Sequence, residues 1–174
     1  MPDETPPRSD SPPPAGAWQP LAGVRVADFS ALLPGPAAGA ILADLGAEVV
    51  KIEPKAGEGA RHREVLWPIL RKHPRARAVV AALARWADIA LESYRPGVAA
   101  RLGIDHAALS AVNPRIITCS VSGYGQTGPW RDIPGHDLNF LAAGGAFAFS
   151  GHWTGRPRRA GPPVAPLLGA GHAA

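Results

Sequence analysis

Two short apolar runs bracket a helix-forming segment near the start of the chain, and that arrangement leaves few folds open. Val24-Arg25-Val26-Ala27-Asp28-Phe29 has the composition of a buried strand, and Leu33-Pro34-Gly35-Pro36 breaks it. Residues 37–45 are helix formers that run to a stop at Gly46, and Glu48-Val49-Val50-Lys51-Ile52-Glu53 reads as a second strand. Strand, glycine-containing loop, helix and strand within about 30 residues form a βαβ unit, which requires parallel strands and a right-handed crossover. Ligands of such sheets gather at the carboxyl ends of the strands, so the loops at residues 30–36 and 53–59 are the first places to expect a site. The dinucleotide fingerprint is missing, because Gly35 and Gly39 are spaced G-x-x-x-G and not G-x-G-x-x-G.

The pattern continues along the chain. In residues 75–87, Val79, Val80, Leu83 and Trp86 fall on one helical face, and residues 88–92 follow as a short strand. Ser93-Tyr94-Arg95-Pro96-Gly97 is a turn into a small helix ending at Leu102-Gly103. A further helix over residues 104–112 stops at Asn113-Pro114, and residues 115–121 read as another parallel strand with Cys119 inside it. After a glycine-rich loop, a helix is expected to start at His136 or Asp137 and to fade at Gly144-Gly145. The expectation is an α/β fold, a parallel sheet with flanking helices over residues 21–150. Residues 1–20, proline-rich and without apolar period, read as a disordered leader, and residues 151–174 as an irregular Gly/Pro-rich tail.

Composition narrows the class. The 174 residues are 46% hydrophobic, enough for a real core. The single Cys119 cannot form an intrachain disulfide and reads as a core thiol, which points to a reducing cytoplasm. The first residues lack the apolar region of a signal peptide. The most apolar stretch, residues 29–50, is interrupted by Pro34, Pro36, Asp44 and Glu48, so no membrane span is expected. A net charge of +4 invites a nucleic-acid partner, but the arginines are scattered and not interleaved with aromatics; an anionic small molecule or a solvated surface explains them as well. Neither a metal nor a permanently bound cofactor is expected.

Four collinear blocks carry a resemblance: L-A-G-V-R-V-A-D-F-S with P-G-P; L-A-D-L-G-A-E-V-V-K-I-E-P; E-S-Y-R-P-G-V-A-A-R-L-G-I; and N-P-R-I-I-T-C-S-V-S-G-Y-G-Q-T-G-P running into G-H-D-L-N-F. Together they resemble the class III (CaiB/BaiF-type) CoA-transferase superfamily, nearest its alpha-methylacyl-CoA racemases, over most of residues 21–149. The resemblance implies the amino-terminal part of a Rossmann-like large domain, an acyl-CoA substrate with coenzyme A as its leaving or carrier moiety, and an interlocked homodimer. Two departures accompany it. Residues 63–72 are shorter than the corresponding family segment, which implies one sheet strand fewer, and family chains continue well past residue 174, so the chain reads as an amino-terminal piece.

Racemising a 2-methylacyl-CoA means removing a weakly acidic α-proton and returning one to the opposite face. Histidine suits one face, because its ordinary pKa is about 6.5. By the motif match His136 is the candidate base and Asp137 its neighbour, and the plainer reading makes Asp137 a helix cap and His136 a loop residue at a helix start. An aspartate serves the other face in the family, and its matching position here is Pro166. The family's transferases use that aspartate as a nucleophile toward the thioester, so the proline implies impairment of both chemistries. Three functions therefore stand: an impaired acyl-CoA racemase relative, a CoA-transferase moving CoA between carboxylic acids, and a non-catalytic chain that binds CoA or a partner. For CoA the resemblance points to Leu32, Leu33 and Pro34, the Lys51-Ile52-Glu53-Pro54 strand end, and Ser93, Tyr94 and Arg95, with Arg101 near the phosphates, where arginine is able to clasp a diphosphate; an exposed turn is the plainer reading of Tyr94 and Arg95. Gly123, Tyr124 and Gly125 would bring backbone N–H groups to an enolate oxygen; flexible loop glycine is the simpler alternative.

Overall fold

The computed structural model describes residues 18–53, 75–150, 155–156, 158 and 161–174. Its elements in chain order are β1 (Arg25–Asp28), α1 (Pro34–Asp44), β2 (Glu48–Lys51), α2 (Ala76–Trp86), β3 (Ile89–Glu92), α3 (Val98–Leu102), α4 (His106–Ser110), β4 (Ile117–Ser120), α5 (Asp137–Ala143), a 3-10 turn (Ala146–Phe149) and α6 (Val164–Ala173). Among the described residues the sheet has four strands in the order β2-β1-β3-β4, all pairs parallel. The chain therefore winds outward from β1 to β2 and then crosses back to build β3 and β4 on the other side. A reversal of this kind opens a crevice beyond the carboxyl ends of the two inner strands, where the loops that leave them part in opposite directions.

Burial follows this order. The inner strands β1 and β3 are buried after their first residue, whereas no residue of β2 or β4, at the edges of the described sheet, is fully buried. On one face, α1 and α6 cover Val26, Leu91 and Cys119, with Ala38 and Ala170 buried in the same cluster as Leu91. On the other, α2, α3 and α4 close over Ala27, Phe29 and Ala90. The start of β1 is pinned by Asp88, whose carboxylate accepts the Arg25 backbone N–H at 3.0 Å and faces its guanidinium at 3.4 Å. That backbone hydrogen bond, followed by the guanidinium, holds the Asp88 carboxyl below its ordinary value of 3.8.

Several expectations need correction. Val79 is 54% exposed; the buried stripe of α2 is Ala76, Val80 and Ala84, successive i, i+4 steps that turn Val79 to solvent. The helix expected over residues 104–112 is only α4, because Asp105 caps it by accepting the Ala108 N–H at 3.3 Å. Residues 164–173 of the tail read as irregular form α6, which docks on α1 and α5. Pro166 sits in its first turn, where a missing N–H costs no intrahelical bond. The leader up to residue 17, the loop from residue 54 and the short segment at residues 63–72 lie outside the described residues.

The approach of α1 to the sheet depends on two glycines. A Cβ at Gly35 would lie 2.1 Å from the Cβ of Ser30, and one at Gly39 3.0 Å from the Asp28 carboxylate. Gly35→Ala must push α1 off the end of β1. We expect it to lose about 3 kcal/mol of stability in urea denaturation, whereas Gly161→Ala, with open space around it, leaves the midpoint within about 0.5 kcal/mol.

Candidate functional site

The crevice is built first by a buried carboxylate. Asp28, the last residue of β1, is 1% exposed, and one of its oxygens accepts both the N–H of Ser30 at 2.8 Å and the Ser30 hydroxyl. Its other oxygen pairs with the Lys51 ammonium at 3.2 Å from the adjacent end of β2. Across the switch point Ser93, just after β3, accepts the Ala31 N–H at 2.9 Å and donates to the Ala31 carbonyl at 3.0 Å. The two inner loops are thus stitched together. Leu32 follows in the left-handed region at φ 68°, where an L residue is held only by its surroundings. Leu32 and Leu33 project into solvent, 55% and 37% exposed, and Pro34 starts α1.

The expected CoA residues divide. Leu32, Leu33, Pro34 and Ser93 meet at this crevice, with Glu53 half-buried just past β2. Tyr94 is not a surface residue: its ring belongs to the core beneath the sheet with Phe29 and Leu102. Arg95 is exposed in the turn, and Arg101 is exposed on α3. Arg101 also rims a cleft of about 370 Å³ between α2, α3 and α4, together with Arg77, Val80, Leu109 and Val112. Sequence reasoning missed Asp28, Ser30 and Glu92. The signal for Asp28 was available, since an acid inside an apolar strand needs a partner on a neighbouring strand. Glu92 ends β3, is 6% exposed, and accepts the Tyr94 N–H at 2.8 Å. Burial raises its carboxyl above the ordinary 4.5, against the opposing hydrogen bonds from the Ser120 side chain and the Tyr94 backbone.

The loop after β4 is shaped by rings. Tyr124 meets Phe140 edge-on at 5.1 Å and Trp130 at 5.5 Å. A Cβ at Gly123 would fall 2.3 Å from the Phe140 ring, and one at Gly135 2.6 Å. Gly123 is therefore there to admit a ring, which answers the flexible-glycine alternative; Gly125 and Gly128 instead supply positive φ, at 87° and 90°. Phe140, the aromatic of G-H-D-L-N-F, braces the loop that precedes its own helix.

His136 caps α5. Its backbone N–H donates to the Asn139 side chain at 3.0 Å, and its own backbone is extended, at φ −130° and ψ −176°. The imidazole lies at an exposed position, while Asp137 is 8% exposed. Asp137 does not cap its own helix. One of its oxygens accepts the Ala165 N–H at 2.9 Å, in the first turn of α6, and the other is buried without a hydrogen-bond partner. Farther along α6, Gly169 approaches Pro34, a Cβ there lying 4.0 Å from the proline ring. The helix α6 therefore joins the His136 segment to the loop after β1. Asp137 is buried against α6 while His136 lies at an exposed position, so the structure does not bring the two into one environment.

Two outcomes follow. Asp137→Ala leaves the Ala165 N–H uncapped, and we expect about 1 kcal/mol loss of stability with faster amide exchange at Ala165, while Asp137→Asn keeps an acceptor and most of the protection. For Glu92 the folded carboxyl binds its proton more tightly than the unfolded one, so its contribution is present below about pH 4.5 and declines as pH rises through the raised value. Glu92→Gln, read by urea titrations above pH 4.5, should flatten that decline.

Comparison with known proteins agrees with this architecture. The sequence matches the model of CoA-transferase family III over residues 21–68 and 70–174. It is 33% identical over 176 residues to succinate–glutarate CoA-transferase of Agrobacterium fabrum, covering 86% of this chain and 44% of that protein. Succinyl-CoA–D-citramalate CoA-transferase of Chloroflexus aurantiacus is 38% identical over 90% of this chain and 44% of its own length. Human alpha-methylacyl-CoA racemase is 35% identical over 74% of this chain and 35% of its own. Among solved structures, a CAIB/BAIF family protein from Brucella suis superposes with a TM-score of 0.80 at 26% identity, covering 89% of this chain and 47% of that one. The chain thus spans less than half the length of these relatives. By its sequence and by its parallel sheet alike, the chain belongs to CoA-transferase family III.

Proposed function

We propose that the chain forms an acyl-CoA half-site in which His136 transfers a proton at the α-carbon of a 2-methylacyl thioester on one face only. The observation that carries this reading is a contrast between two positions: an imidazole at an exposed helix start, and Pro166, with no acid to offer, in the first turn of α6. The neutral ring takes the α-proton, the C–H electron pair passes into the enolate, and the imidazolium returns a solvent-exchanged proton to the same carbon. Backbone N–H groups of residues 123–125 are assigned to the enolate oxygen. The loop at Leu32, Leu33 and Pro34 takes the pantetheine, and Ser93 holds that loop in shape. Arg95 and Arg101 remain exposed for the phosphates.

A CoA-transferase reading is favoured by a different observation, the names of the relatives at 33% and 38% identity, both of which transfer CoA between carboxylic acids. It needs a carboxylate free to attack the thioester. The motif's own acid, Asp137, is buried and engaged with Ala165, so it is not the group that would attack.

Incubating the chain with an (R)-2-methylacyl-CoA in D₂O separates the possibilities by mass and chiral analysis. Deuterium uptake with retained configuration, falling about 10² to 10⁴-fold in His136→Ala, is the expected result. Formation of glutaryl-CoA from succinyl-CoA and glutarate without α-deuteration would replace it with the transferase reading. No reaction, with coenzyme A still raising the melting temperature, would leave a binding protein.

A further inference from the structure

We propose that Lys51 is a positioning residue, an internal ammonium that fixes the acyl-CoA loop after β1 by holding the Ser30 carbonyl, and not a contact for the ligand's phosphates. This rests on the loop's assignment to CoA above. A lysine at the carboxyl end of a strand beside a ligand crevice would ordinarily be read as a phosphate partner, and three observations argue otherwise.

The register places Lys51 directly beside Asp28 on the adjacent parallel strand, so both side chains leave the same face of the sheet beneath α1. Its side chain is 22% exposed and that of Asp28 2%. Among its partners the ammonium meets the Asp28 carboxylate at 3.2 Å, the Ser30 hydroxyl oxygen at 3.3 Å and the Ser30 carbonyl. To reach a phosphate it would have to abandon this set and leave the Asp28 charge buried without its counter-ion, which is strongly disfavoured.

The consequence for the loop follows residue by residue. The Ser30 N–H and hydroxyl are held by Asp28, and its carbonyl by Lys51. The Ala31 N–H and carbonyl are both held by Ser93. With the backbone of two successive residues fixed, the chain enters Leu32 at φ 68°, a conformation L residues avoid, and presents Leu32 and Leu33 outward over the switch point. Lys51 thereby supports the loop's shape before any ligand arrives, and a preformed loop binds more tightly than one that must be ordered.

The test compares the full chain with Lys51→Arg, Lys51→Met and the double variant Asp28→Asn/Lys51→Met, in which both charges are removed so that neither is left buried alone. Coenzyme A affinity is measured by calorimetry at several KCl concentrations, and hydrogen exchange at the Ala31 amide by NMR. In the double variant the expected result is about tenfold weaker CoA binding, faster exchange at Ala31, and an unchanged slope of log affinity against log salt; Lys51→Arg should restore part of the affinity. A slope reduced by about one would make Lys51 a phosphate contact and overturn the proposal. Unchanged affinity and unchanged Ala31 exchange in a folded double variant would overturn it as well. If the wild-type chain does not bind coenzyme A, the ligand assignment fails, and the Ala31 exchange alone still decides whether Lys51 holds the loop.

Discussion

A carboxylate buried at the carboxyl end of β1 sets the conditions for everything around it. Asp28 is all but inaccessible, so it must be matched by a cation and by donors drawn from its own surroundings. Lys51 on the neighbouring strand and Ser30 in the loop meet that demand. Meeting it determines where β2 pairs, how the chain turns after β1, and how near α1 can come. Helix α1 reaches the cluster only because Gly35 and Gly39 present no side chain toward it. The βαβ unit is thus organised around a polar centre as much as around its apolar faces.

The candidate site has two arms that meet through α6. One is the stitched pair of loops after β1 and β3, and the other is the segment from the glycine loop to His136. Asp137 grips the first turn of α6 while Gly169 lies against Pro34, so the geometry of one arm is referred to the other through a single helix. The acid of the G-H-D motif is in this structure a tether between helices. That role keeps the Asp137 carboxylate buried against α6 while His136 lies at an exposed position.

Much of the fold was legible in the sequence for a physical reason: alternating breaks at Pro-Gly-Pro, Gly46 and Asn113-Pro114 separate segments whose apolar residues repeat with a strand or helix period. Strand identity and parallel topology followed from the βαβ spacing. What failed to show was tertiary in origin. Helix α6 has no polar face to give it a period, and its helical state depends on packing against α1 and on a cap supplied from 28 residues away. Val79 and Val80 look alike in the sequence, and only the approach of the sheet decides which of them is covered. In the site, the motifs singled out His136 and the loop after β1 as candidates. It could not reveal that Tyr94 is spent on the core, or that Glu92 and Asp28 are held inside, because those facts depend on which side of a strand faces a helix.

The ring of Phe140 stands where side chains at two distant positions would otherwise go. Gly123 and Gly135 are empty because that one aromatic fills the space above both. The three positions therefore share a single volume, and a lineage that shrank the ring would release both glycines at once. Growth at either glycine is blocked for as long as the ring stands, so the order of change in this loop runs through position 140 first.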